Sequence, residues 1–269
     1  MSSFLERFPG FKIHEEIART KLSVVYRAED ERTNRPAAVK LIDNDHHGRR
    51  EIEMHRRVAQ ANPSGPVHVM RLLDTYVDGD YRWIALEYFD STLESIDSSR
   101  LTPLALMSIG VDSAKGLVEM YRADVIDDDV KPGNIAFKAG SGRAAHLDLG
   151  CARLAGEVPV GFTQEFAAPE ILSRKPSDTS PCYGWARSME YLAFGGRDPG
   201  SHHLLSEAVP WVGRDFARLV NECRQTNQNR RPPVPALYEQ MKQLVRSRRR
   251  CRRCNAIAFD DGVCVNCGT

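Results

Sequence analysis

Two sets of residues in this 269-residue chain have types and spacings that could do chemistry. At the carboxyl end, Cys251-x-x-Cys254 and Cys264-x-x-Cys267 are nine residues apart, and Gly268 follows the last cysteine. Each pair offers two thiolates from a tight turn, and two pairs make the tetrahedral donor set of a structural Zn²⁺. So short a segment cannot build its own core, so the metal would supply its folding energy. Free or disulfide-linked cysteines are the alternative, and the weaker one in a reducing compartment. The second set is spread along the chain: Ala37-Ala38-Val39-Lys40, Asp129-Val130-Lys131-Pro132-Gly133-Asn134, Asp148-Leu149-Gly150 and Ala168-Pro169-Glu170. Its residue types are those that phosphoryl transfer requires. That chemistry needs a lysine for the phosphates, a carboxylate to hold the lysine, two metal ligands, and an Asp that orients a hydroxyl and takes its proton. Singly, each piece is bland: a lysine ending a strand is usually solvated, and Asp-Leu-Gly is usually a turn.

In order and spacing these stretches resemble the eukaryotic-like protein kinase family over roughly residues 11 to 246. The resemblance implies that Lys40 and Glu51 form an ion pair, that Asp148 and Asn134 bind Mg²⁺, and that Asp129 is the base. It also implies that Lys131 marks a Ser/Thr rather than a Tyr kinase. Val25 and Ala38 would cover the adenine of ATP, Leu86 would guard the pocket, and Glu87 to Phe89 would form the hinge. Glu170 would pair with Arg231.

The resemblance breaks in three places. Ala18, Thr20 and Ser23 stand where the family has the three glycines that let backbone amides approach phosphates. Asp127-Asp128-Asp129 replaces His-Arg-Asp, and an acid at 128 would repel a phosphorylated activation loop. Activation is therefore expected not to depend on phosphate docking. No acid appears between Thr179 and Gly184, where the family braces the catalytic loop, so a hydroxyl of Thr179 or Ser180 is the expected substitute.

The elements that must position these groups are legible in outline. Lys12 to Ile17, Val24 to Ala28, Ala37 to Ile42, Val69 to Val77 and Tyr81 to Tyr88 read as strands, with Asp78-Gly79-Asp80 as a turn. A charged amphipathic segment from Arg49 to Ala59 reads as a helix. Thr102 is a candidate N-cap with Pro103 at the first helical position. Leu106, Ile109, Leu117, Met120 and Tyr121 then fall on one face. Phe216, Leu219, Val220 and Cys223 recur at helical spacing. The fold class expected is α+β and bilobal: a five-stranded amino-terminal lobe with one helix (residues 1–89), a mainly helical lobe (90–246), and a zinc ribbon with a basic lead-in (247–269).

Composition excludes little beyond disorder: 42% hydrophobic and 27% charged residues are ordinary for a globular protein, and the net charge is +1. The start resembles no secretory signal and no apolar run is long enough for a bilayer, so the cytosol is expected. Six arginines crowd into Arg246 to Arg253. They read as a solvated helix end, with nucleic acid as the second reading. Cys151, Cys182 and Cys223 read as packed thiols. A kinase domain ending in a zinc ribbon resembles the kinases found with von Willebrand A proteins and PP2C-type phosphatases in tellurium-resistance-associated bacterial systems. That resemblance implies protein substrates, those two partners among them. Three other functions compete with an active kinase: a pseudokinase scaffold, a nucleic-acid module at 246–269, and a small-molecule phosphotransferase.

Overall fold

A computed structural model describes residues 8–42, 45–79, 81–197, 212–246, 249–250 and 257–258. Five antiparallel strands form the amino-terminal sheet: β1 (Phe11–Arg19), β2 (Ser23–Asp30), β3 (Arg35–Ile42), β4 (Leu72–Asp78) and β5 (Tyr81–Glu87), in the order β1-β2-β3-β5-β4. Helix α1 (Asp45–Ala61) crosses between β3 and β4. The β2–β3 ladder runs through eight residue pairs without interruption, whereas β1–β2 carries two register shifts.

Register decides which side chains share a face, because residues opposite one another in antiparallel strands project the same way. Lys40 lies opposite Val25 on β2 and Ile84 on β5, and Ala38 lies opposite Leu86. Val25, Ala38, Lys40, Ile84 and Leu86 therefore share one face. On it, Ile42, Ile84 and Leu86 pack with Ile52 of α1 and with Met70 and Phe89. The other face buries Ala37, Val39, Trp83 and Ala85 against Phe8 and Phe11.

The second lobe is built on α2 (Pro103–Tyr121). The Thr102 hydroxyl accepts from the Ala105 N–H at 3.2 Å, which satisfies one of the donors a helix leaves open at its start. Leu106, Ile109, Leu117 and Met120 are buried as their spacing requires. Tyr121, expected on the same face, is 39% exposed because it sits at the edge of that stripe on the last turn. A left-handed Asp124 then redirects the chain. Short strands β6 (Ser91–Thr92), before α2, and β7 (Val125–Ile126), β8 (Ile135–Lys138), β9 (Arg143–His146) and β10 (Arg153–Leu154), after it, also belong to this lobe. Helices α3 (Pro169–Leu172), α4 (Ser180–Ala193), α5 (Arg214–Cys223) and α6 (Val234–Arg246) complete the lobe. Trp185, Met189, Phe216, Leu219, Val220, Leu237 and Met241 join the α2 residues in one core.

One expectation shifts. The strand expected from Val69 begins at Leu72, because Val69 instead bridges His146 in parallel. Before Pro169, β10 pairs antiparallel with β7. At the carboxyl end Arg249–Arg250 pairs with Ile257–Ala258. Cys251, Cys254, Cys264 and Cys267 lie outside the described residues.

Candidate active site

Lys40 projects from the central strand β3. Its Nζ donates to both carboxylate oxygens of Glu51 on α1 at 2.8 Å and to Asp148 Oδ2 at 3.0 Å. Burial alone would lower the Lys40 pKa. The carboxylates of Asp148 and Glu51 outweigh it and hold the amine protonated. Burial pushes the Glu51 carboxyl up against the pull of Lys40. With both oxygens bonded to Nζ, the ionised pair is the form this geometry requires. Asp148 is half-buried, and although its desolvation works the other way, Lys40 together with the Gly150 N–H brings its pKa below the ordinary value.

The loop after β7 carries the second group. Asp129 Oδ1 accepts from the Thr163 N–H at 2.6 Å, and Oδ2 accepts from Lys131 Nζ and Asn134 Nδ2, each at 2.8 Å. Lys131 also donates to the Thr163 hydroxyl. The Leu147 N–H bonds the Asn134 carbonyl at 3.0 Å, so the β8–β9 ladder sets Asn134 beside the residue preceding Asp148. That bond places the Asp129–Lys131–Asn134 group next to the Lys40–Glu51–Asp148 group. Among the described residues no three His, Cys, Asp or Glu side chains converge as a metal cluster. Asp148 and Asn134 offer hard oxygen donors, a pair that suits Mg²⁺ when phosphate oxygens and water complete its shell.

Val25, Ala38 and Leu86 face the same side of the sheet as Lys40. Arg143 donates to the Glu87 carboxylate and stacks 4.8 Å over the Phe89 ring. The Glu87 N–H is bonded to the Arg71 carbonyl. The glycine-less β1–β2 turn is closed on itself: the Thr20 hydroxyl accepts from the N–H groups of Leu22 and Ser23.

Each departure in the catalytic loop has a structural counterpart. Asp127 accepts from the Asp129 N–H at 3.0 Å, and its other oxygen faces His146 Nδ1 at 3.6 Å. It therefore supports the loop in place of a histidine. Asp128 is buried against Arg153 of β10, with Arg153 Nε 2.7 Å from Oδ2. Burial pushes the Asp128 pKa up to about 6, opposed by Arg153. Arg153 also reaches the Ser177 carbonyl. Arg50, next to Glu51, donates to the Ala152 carbonyl and to Glu157, each at 2.8 Å, tying α1 to the same segment.

The expected hydroxyl brace is absent among these contacts. Ser180 donates to Glu170 and Thr179 to the Gln228 carbonyl, so neither reaches the loop. Helix α4 braces the loop by contact instead: a Cβ on Gly184 would stand 2.8 Å from the Val130 carbonyl oxygen. Glu170 and Arg231 pair as expected, with Arg231 Nη2 2.8 Å from Oε2. Cys182 and Cys223 are fully buried, and burial pushes the thiols of Cys151 and Cys182 up to about 12.

Thr163, His146, Arg50, Arg143 and Arg153 were not anticipated. Thr163 had a signal, six residues before Pro169. The others have none short of the fold.

Comparison with known proteins agrees with this geometry. The chain is 33% identical over 186 residues to the serine/threonine-protein kinase PknK of Mycobacterium tuberculosis, covering 65% of this chain and 17% of PknK. It is 29% identical over 182 residues to the serine/threonine-protein kinase CLA4 of Candida albicans, covering 63% of this chain and 18% of CLA4. A shorter match, 46% over 52 residues, relates it to the protein kinase YpkA of Yersinia pestis, covering 19% of this chain and 7% of YpkA. The chain spans less than a fifth of these relatives. The protein kinase domain pattern matches residues 11–247, and the chain belongs to the protein kinase domain family.

Proposed function

We propose that this chain is a Ser/Thr protein kinase that transfers the ATP γ-phosphoryl group to a hydroxyl on itself or on a partner protein. The observation that carries the reading is the Asp129 carboxylate, held by Lys131, Asn134 and Thr163 beside the Lys40–Glu51–Asp148 cluster. Lys40 binds the α/β-phosphates and Glu51 fixes its direction. Asp129 orients the acceptor hydroxyl and takes its proton, while Lys131 offsets charge at the transferred group. Asp148 and Asn134 would hold Mg²⁺, which would supply neutralisation of phosphate charge. The adenine lies between Val25, Ala38 and the Glu87-to-Phe89 hinge.

The activation segment does not wait for a phosphate. Asp128 and Arg153 supply an internal ion pair between catalytic loop and segment, and Arg50 adds a second tie. The carboxyl-terminal cysteines form a zinc ribbon, a reading supported by their spacing and tested by zinc content. The domain order supports cytoplasmic action within a tellurium-resistance-associated system, with a von Willebrand A protein and a PP2C-type phosphatase as partners.

The closed Thr20 turn favours a second reading, a nucleotide-binding scaffold that turns over poorly. Labelling from γ-labelled ATP decides between them, with Asp129→Asn and Asp148→Asn as controls. Label incorporated by the wild type and lost in both variants supports the kinase. Equal labelling in all three removes these residues from the mechanism. A nucleotide-dependent thermal shift without any labelling supports the scaffold.

A further inference from the structure

The turn between β1 and β2 is held by one side chain. The Thr20 hydroxyl accepts from the Leu22 N–H at 3.2 Å and from the Ser23 N–H at 3.0 Å. It also lies 3.0 Å from the Ser23 hydroxyl. The Thr20 N–H donates to the Ser23 carbonyl at 2.8 Å, which closes the turn from its other side. Leu22 is 44% exposed, so water could satisfy its amide and burial does not demand the hydroxyl there.

The register places this turn beside the lysine of the catalytic cluster. Ser23 comes two residues before Val25, and Val25 lies opposite Lys40, so all three project to one face of the sheet. Successive N–H groups in a turn form a concavity for anions when they are free to point at one. Here the two that could do so, those of Leu22 and Ser23, point at an oxygen of the chain itself.

We infer that the Thr20 hydroxyl is an internal competitor of the nucleotide's phosphates, which gain the Leu22 and Ser23 amides only by displacing it. The inference rests on the kinase reading, since ATP is the ligand, and adds to it a residue that sets affinity. A charged phosphate oxygen bonds an amide more strongly than a neutral hydroxyl does, so displacement is feasible. The bonds given up subtract from the gain. The competition acts on the phosphate end alone and leaves the adenosine end untouched.

Full-length protein with Mg²⁺ is titrated calorimetrically with AMP-PNP, a non-hydrolysable ATP analogue, and with adenosine. Thr20→Val keeps the side-chain shape and removes the acceptor. It should bind AMP-PNP about threefold to tenfold more tightly, the scale of one hydrogen bond's net worth. Thr20→Gly should gain likewise, whereas the conservative Thr20→Ser keeps the acceptor and should retain wild-type affinity. Adenosine should bind all four proteins equally. Amide hydrogen exchange reads the same contact without nucleotide: the Leu22 and Ser23 amides should exchange faster in Thr20→Val than in the wild type. Equal AMP-PNP affinity in wild type, Thr20→Val and Thr20→Gly would overturn the inference and leave the kinase reading standing. So would a gain shared by adenosine, or equal exchange of the two amides. Failure of all four proteins to bind AMP-PNP would overturn the kinase reading and the inference together.

Discussion

Arg153 of the activation segment lies 2.7 Å from the Asp128 carboxylate of the catalytic loop, and both side chains are essentially excluded from water. Removing one partner of a buried pair strands the other charge, which typically costs roughly 3–5 kcal/mol. Arg153→Ala should therefore lower stability by that order in a denaturant titration, and transfer rate should fall with it. Prior treatment of the wild type with a protein phosphatase should leave its initial rate unchanged. A phosphatase-sensitive rate would show that a phosphate, not Arg153, organises the segment.

Lys40 separates two carboxylates that would otherwise face each other unneutralised. Lys40→Met should abolish the thermal shift caused by Mg-ATP and reduce transfer on the order of a hundredfold or more, as expected for loss of a preorganised charge. A variant with wild-type labelling would place the phosphates elsewhere.

His55 lies one turn after Glu51, buried, with Nε2 lacking a hydrogen-bond partner. Burial, helped by Lys40, lowers its pKa from 6.5 to about 4. Below 6.5 the unfolded chain takes up a proton that the native state refuses, so stability is lost as pH falls through this window. His55→Leu should remove that loss. Between pH 6.5 and 4 the variant should gain up to roughly 3 kcal/mol on the wild type. Parallel stability curves for the two proteins would contradict the assignment.

Gly184 has space only for a hydrogen against the Val130 carbonyl. Gly184→Ala should push the catalytic loop away from α4, with a cost of about 1–3 kcal/mol typical of overpacking. Turnover should drop more than ATP affinity, since Lys40 and the hinge are untouched. A loss confined to ATP affinity would point to a different coupling.

Much of this site was legible because its chemistry is carried by short ordered motifs. Lys40, Asp129, Asn134 and Asp148 announce themselves by residue type and sequence, and Thr102-Pro103 marks the start of the central helix. The groups that compensate for the unusual loop were not legible. Arg153 is twenty-five residues from Asp128 and becomes its partner only when β10 pairs with β7. His146 likewise meets Asp127 across the lobe. Such pairings have no local periodicity, so an acid in an arginine's place reads as a defect until the fold supplies its counter-ion. The missing brace was sought as a hydroxyl, whereas the contact at Gly184 is made by the absence of a side chain.

The two sheet ladders differ in their tolerance of changes in chain length. β1 already absorbs irregular pairing with β2, so an added or deleted residue near Glu15 or Ala18 can be taken up in the ladder. Along β2 and β3 nothing absorbs it, and the loss of one residue there would turn Val25 or Lys40 to the opposite face. Length variation in this lobe should therefore concentrate in its first strand.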